Sequence, residues 1–213
     1  DQSTVADSYE TAYEKTAEDK NAIAYVSSGV ELDDNKVKTV TIYGNDLTRS
    51  FYLAYKGELN DVEDDFVRYI STQGQEVVSE KYTAVAKPGS FLSDKAGGEI
   101  KIGGSTSATP LVKELADKYM EINPNAKITV TETDSGNGLT GAMEETYDIG
   151  MSSRELKSYE NELLTKVEIA KDEVHVIVNK ENPIERISIE QLGEIYTGKL
   201  TEWAQLNGKA EDK

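Results

Sequence analysis

The chain has 213 residues, 37% hydrophobic and 30% charged, a balance that suits a folded soluble body and is too apolar for disorder throughout. Its 40 acidic residues against 23 basic ones give a formal net charge of −17, a field that repels nucleic-acid phosphates and anionic lipid surfaces. The absence of cysteine and the presence of one histidine, His175, remove disulfides, thiolate nucleophiles and cysteine- or polyhistidine-held metals.

A small anion stays within reach, because hydrogen bonds in a dehydrated cleft outweigh a field that salt screens beyond about 8–10 Å. No stretch approaches the roughly 20 apolar residues of a membrane-crossing helix. The chain opens at Asp1 without a basic, apolar leader, so any export signal is expected to lie outside these residues.

In chain order, residues 3–19 are predicted as an amphipathic helix carrying Val5, Tyr9 and Tyr13. Short strands are predicted at 22–26, 37–42 and 50–55, the second from its alternation and the third from its aromatic and β-branched content. Two helices follow at 61–70, with Val62, Phe66, Val67 and Ile70 on one face, and at 75–81. The acidic run at 61–65 lacks the alternating ligands and mid-loop glycine of a calcium loop and is predicted as a solvated helix start. Residues 86–98 contain Pro-Gly and Gly-Gly without periodicity and are the linker candidate.

Beyond them strand and helix alternate: strand 99–102, helix 110–122 with Pro110 in its first turn, strand 127–131, helix 138–145, strand end 148–151 and strand 174–178. Ser188 with Gln191 makes a capping-box signature for a helix through 195. This alternation predicts an α/β sheet.

Three segments at predicted strand ends carry small hydroxyl residues: Gly104-Ser105-Thr106-Ser107, Asp134-Ser135-Gly136-Asn137-Gly138, and Asp148 through Ser152, Ser153 and Arg154. Strand carboxyl ends line the ligand crevice of open α/β sheets, and helix N-termini offer unpaired amides to an oxyanion. Each loop read singly is equally a cap or a turn, and the pattern by itself leaves function open. Arg154 is either an anion fork or half of a surface pair with Glu155, and Arg49 is similarly ambiguous. His175, Trp203 and the tyrosines are expected in packing roles, and no base stands ready for the serines, so no enzyme is expected.

The runs GGSTSATPLVKELADKY, DSGNG, YDIGMSSREL, IAKDEVHVIVNKENP and QLGEIYTGKLTEW, between residues 100 and 208, resemble the N-terminal half of phosphate-binding proteins of phosphate ABC importers. Residues 21–85, with NAIAYVSSG, RSFYLAYKGEL and QGQEVVSEKYTAV, resemble that family's C-terminal half. The resemblance implies a type II periplasmic-binding-protein lobe, a mixed sheet flanked by helices, with the second lobe incomplete. It also implies reversed segment order, as at the junction of two tandem binding-protein units or, alternatively, in a circularly permuted unit that has lost its middle: 1–88 a C-terminal-half segment, 89–98 a linker and 99–213 an N-terminal-half segment, the two packing together.

On that resemblance the anion contacts are Ser105, Thr106, Ser107, Ser135, Gly136, Ser152, Ser153 and Arg154, with Thr106 and Ser107 giving hydroxyl and amide. The implied function is an extracellular solute-binding component that takes inorganic phosphate or a related oxyanion to an ABC permease. The parent protein would be anchored at the cell surface, and the chain would need no cofactor. The alternative is a non-binding structural or interaction domain derived from that fold, with a segment-swapped dimer as a further expectation.

Overall fold

A computed structural model describes residue 6 and residues 8–44 and 47–206. Val5 and Gly208 of the sequence reading lie outside these described residues. Two compact units divide the chain: residues 49–172 form one, and residues up to Thr48 together with those from Glu173 onward form the other.

In the unit of residues 49–172, the strands are β4 (Thr48–Tyr55), β5 (Gly98–Ser105), β6 (Ala126–Thr133), β7 (Ile149–Ser152) and the first half of β8 (Thr165–Asn179), in the order β8-β4-β7-β5-β6. β5 runs parallel to both β6 and β7, while β4 is antiparallel to β7, so the sheet is mixed. Its helices are α2 (Asp61–Ser71), α3 (Gly74–Lys81), α4 (Thr109–Ile122), α5 (Ser135–Met143) and α6 (Ser158–Leu163). Ile100 and Ile102 of β5 bury against Leu111, Leu115 and Tyr119 of α4 and Phe66, Tyr69 and Ile70 of α2. A smaller cluster joins Leu139 and Ala142 of α5 to Tyr52, Ala54, Leu156 and Leu164.

Local sequence accounts for the helix starts. Asn60 accepts from the amides of Val62 and Glu63 at 3.1 Å each while Glu63 accepts from the Asn60 amide at 2.9 Å, a reciprocal cap for α2. Pro110 stands in the first turn of α4, where its missing N–H costs nothing.

In the other unit, α1 (Tyr9–Glu18) starts after Ser8, which caps it by accepting from the Thr11 amide at 3.1 Å; residues 3–5 and 7 of the predicted helix 3–19 lie outside the described residues. β1 (Ile23–Ser27) and β2 (Val37–Thr39) pair antiparallel with the second half of β8. The single strand predicted over 37–42 is two: at Val40 the amide donates to the Val176 carbonyl, and β3 (Thr41–Tyr43) then pairs in parallel with β9 (Arg186–Ser188). α7 (Ile189–Tyr196) begins on the predicted capping box, Gln191 N donating to Ser188 Oγ at 3.1 Å and Ser188 N to Gln191 Oε1 at 2.8 Å. His175 lies in β8 opposite Val26.

Three further differences have physical causes. Strand β8 starts nine residues before the predicted 174, since Lys171 and Thr83 exchange backbone hydrogen bonds and Ile169 and Ala170 enter the core. The acidic run at the start of α2 is not wholly solvated: Asp65 is fully buried among four donors. Residues 89–98, the expected linker, lie inside the unit of residues 49–172, with Phe91 against Tyr69 and Tyr119 and Ser93 bonded to Asp65.

Candidate functional site

The three hydroxyl-bearing loops belong to one unit and follow strands β5, β6 and β7, which are parallel neighbours, so their carboxyl ends open on one side. What draws the loops together is the absence of side chains. A Cβ on Gly138 would stand 2.5 Å from Gly104 Cα, 2.6 Å from the Gly103 carbonyl oxygen and 3.0 Å from the Met151 carbonyl oxygen. Gly104 has φ +139°, a region that L side chains rarely adopt, and its Cβ would run into the Met151 carbonyl. Glycine therefore lets the first turn of α5 rest on the ends of β5 and β7.

That contact places Ser135 beside Ser153. The Ser153 amide donates to Ser135 Oγ at 3.1 Å, and the two hydroxyl oxygens are 3.5 Å apart. Both residues are half-buried. Ser135 and Gly136 are the first two residues of α5, so their amides have no intrahelical acceptor and carry the positive end of the helix dipole. Asp134 caps the same helix: one carboxylate oxygen accepts from the Asn137 amide at 2.9 Å and the other from Asn137 Nδ2. Its charge is thereby engaged in the cap.

Four of the residues expected at the site are held otherwise. Thr106 donates both its amide, at 3.1 Å, and its hydroxyl, at 2.8 Å, to the Thr133 carbonyl, so neither donor is presented as expected. Ser105 is buried at the end of β5, its oxygen placed to accept from the Ala108 amide at 3.4 Å. Ser152 is fully buried, donating to the Arg154 carbonyl at 2.8 Å and accepting from the Arg154 amide at 3.2 Å. Arg154 turns its fork to Glu160, with Nη1 and Nη2 each 2.8 Å from a carboxylate oxygen. Ser107, half-buried, precedes α4, whose first residue is Thr109. Of the eight expected residues, the structure thus groups Ser135, Gly136 and Ser153, and fastens Ser105, Thr106, Ser152 and Arg154 into the scaffold.

Glu160 was not singled out from sequence. Hydrogen bonds from Arg154, with a backbone bond from Lys157 and the Arg154 charge, overcome burial and hold its pKa down to about 2. The same pair pushes the Arg154 pKa up. A carboxyl depressed in the folded state stabilises it above the unfolded pKa of about 4.3, and that contribution fades as pH falls towards the folded value. Glu160→Gln is therefore expected to cost about 1–2 kcal/mol at neutral pH, a modest figure because the Arg154 end is about a third exposed. In urea titrations the gap from the parent should shrink between about pH 4 and pH 2; a pH-independent gap would contradict this account.

Among the described residues there is no cluster of His, Asp and Glu suited to a metal ion and no helix long and apolar enough to cross a membrane. A family model described as a PBP superfamily domain matches residues 89–213, the stretch that holds β5, β6 and β7 and their serine- and glycine-bearing turns. Within that class the chain belongs to the family of PstS phosphate-binding proteins. It is 35% identical over 199 residues to phosphate-binding protein PstS 2 of Streptococcus pneumoniae serotype 4, covering 87% of this chain and 68% of the relative. To PstS 2 of Streptococcus agalactiae serotype V it is 31% identical over 223 residues, covering 97% and 75%. The crystal structure of a phosphate-binding protein of a phosphate ABC transporter from Streptococcus pneumoniae superposes with a TM-score of 0.83 at 32% identity, covering 96% of this chain and 84% of that one. These matches run longer than either of the two segments inferred from sequence, and none shows a reversed order.

Proposed function

We propose that the chain is the solute-binding component of an ABC importer and that inorganic phosphate is its ligand, held by the first turn of α5 and the strand-end loop after β7. The observation that carries the reading is the Ser135–Ser153 pair beside the first two amides of α5, which have no intrahelical acceptor, in a chain that belongs to a phosphate-binding family. Ser135 Oγ already accepts from the Ser153 amide, which leaves its own proton to donate to an anion. The amides of Ser135 and Gly136 add two donors at the positive helix end, a combination that suits an oxyanion without a lysine.

Such a site binds and releases without covalent chemistry. The protein would work outside the cell, anchored at the surface in its parent form, and deliver phosphate to a membrane permease; the name of the pneumococcal structure, a phosphate-binding protein of a phosphate ABC transporter, supports the transport role. Thr106, Ser152 and Arg154 serve in this reading as the frame that sets the loops, with their polar groups satisfied inside the fold.

Calorimetric titration of the chain with phosphate tests the proposal. Saturable binding is expected, weakened by roughly tenfold in Ser135→Ala, the worth of about one hydrogen bond. Neither heat nor thermal stabilisation at millimolar phosphate would leave the non-binding interaction domain as the better reading of this chain.

A further inference from the structure

We infer that Asn137-Gly138 is a modification site, an asparagine set for deamidation that the Asp134 cap holds shut, and that its product disables the first turn of α5. The last clause rests on the phosphate reading above; the modification itself does not. Glycine after asparagine leaves the next main-chain nitrogen unshielded, because it has no Cβ. The Gly138 nitrogen gives its proton to water and bonds to Asn137 Cγ. The Cγ–Nδ2 bond breaks, the nitrogen takes up a proton and leaves as ammonia, and a succinimide ring remains. One water then opens the ring at either carbonyl, giving aspartate or isoaspartate. Asn137 is exposed to the water that both steps need. Packing keeps the labile dipeptide in place, since a Cβ at 138 would stand 2.5 Å from Gly104 Cα.

The folded chain withholds the geometry. Asn137 and Gly138 are the third and fourth residues of α5, and ring closure needs the Asn137 ψ turned well away from the helical value of about −42°. Three hydrogen bonds hold it helical, all of them to Asp134. The Gly138 amide donates to the Asp134 carbonyl at 3.0 Å, so the proton that must leave is engaged. The Asn137 amide donates to Asp134 Oδ1 at 2.9 Å, and Asn137 Nδ2, the leaving group, donates to Asp134 Oδ2. Modification therefore proceeds from the opened turn, at a rate scaled by the population of that opening. Either product adds a carboxylate to the turn that carries the Ser135 and Gly136 amides. Isoaspartate also lengthens the main chain by one methylene, where Gly138 already rests on the backbone of residues 103, 104 and 151.

Peptide mapping by mass spectrometry after incubation at mildly alkaline pH tests the modification, and it separates this site from Asn207-Gly208. The folded parent is expected to convert the amide at 137 to an acid about tenfold or more slowly than the same chain in guanidinium chloride. Folded Asp134→Ala, without its cap, is expected to convert about fivefold faster than the parent. Equal rates in the folded and denatured parent would overturn the inference, and so would a folded Asp134→Ala chain that keeps the parent's rate. Should Asp134→Ala not fold, Asp134→Ser replaces it: its one oxygen caps the Asn137 amide but cannot also hold Nδ2, a smaller rise is expected, and no rise would count against the inference equally. Asn137→Asp makes one product directly, and calorimetry should find its phosphate affinity lowered by about tenfold, the scale of a like charge nearby. Undiminished binding in that variant would overturn the disabling step alone. A parent that binds no phosphate would remove the phosphate reading and that step with it, while the peptide map still decides the modification.

Discussion

Asp65→Ala is expected to lower the unfolding free energy by about 3–5 kcal/mol, the scale of breaking a buried, fully partnered charge. Asp65 is fully buried in α2, and its two oxygens take four donors. Oδ2 accepts from Ser93 Oγ at 2.6 Å and from the Tyr119 hydroxyl at 2.8 Å. Oδ1 accepts from Arg68 Nη2 at 2.6 Å and from the Asp94 amide at 3.1 Å. The alanine variant strands the Tyr119 hydroxyl and the Ser93 hydroxyl in the core and releases the 89–98 segment from α2 and α4. Asp64→Ala, one residue earlier and with an exposed side chain, should change stability by less than about 1 kcal/mol.

The same site gives a pH dependence. Burial alone would raise the Asp65 pKa, yet the bonds from Ser93, the Asp94 amide and Tyr119, with the Arg68 charge, hold it below its ordinary value. Because the folded pKa is the depressed one, Asp65 stabilises the fold above the unfolded carboxyl pKa of about 3.9 and ceases to do so as pH falls through the folded value. Acid unfolding of the parent should steepen below about pH 4, and Asp65→Asn should flatten that limb. Urea midpoints for parent, Asp65→Asn and Asp64→Ala across that range measure both effects; equal slopes for all three would remove Asp65 from the account.

The network around Asp65 marks where sequence reading stops. Residues 61–65 spell out a helix start, and its amphipathic face at Val62, Phe66 and Ile70 was legible from spacing. Which of the acidic residues turns inward was not, because the donors that make burial tolerable come from residues 93, 94 and 119, far along the chain. The Pro-Gly and Gly-Gly composition of 86–98 states only that helix and strand are broken there; it carries no sign of the Phe91 ring and Ser93 hydroxyl that seat the segment.

Local signals did better. The Ser188–Gln191 box and Pro110 at the start of α4 are set by adjacent residues and stood where expected. At the site, the three loops were legible as Ser- and Gly-bearing strand ends, but the grouping of Ser135 with Ser153, which follow β6 and β7 on either side of β5, rests on the close approach of Gly138 to Gly104 and Met151. Internal capture of Thr106 by the Thr133 carbonyl, and of Arg154 by Glu160, depends on side-chain direction, which residue type and spacing leave open.

Gly138→Ala is expected to destabilise the fold by about 2–3 kcal/mol, at the upper end of overpacking costs, and to abolish measurable phosphate binding. Alanine is ordinarily the better helix former by about 1 kcal/mol, and Gly138 lies inside α5, so propensity alone predicts the opposite sign. Packing decides, because the new methyl meets backbone on three sides: Gly104 Cα, the Gly103 carbonyl and the Met151 carbonyl. Backbone of a central strand cannot step aside as the tip of a side chain can, so α5 must lift from β5 and β7. Lifting it separates Ser135 Oγ from the Ser153 amide, the 3.1 Å bond that joins the two loops. Gly193→Ala supplies the control within the same chain. It lies in α7 with nothing but its chain neighbours and its own helix backbone within 4 Å of the added carbon, and there the helix preference should act unopposed, raising stability by about 0.5–1 kcal/mol. Opposite shifts of the urea midpoint for the two substitutions, with phosphate heat lost in the first and kept in the second, would show that close backbone approach at Gly138 builds the site; a Gly138→Ala variant that binds phosphate undiminished would show that it does not.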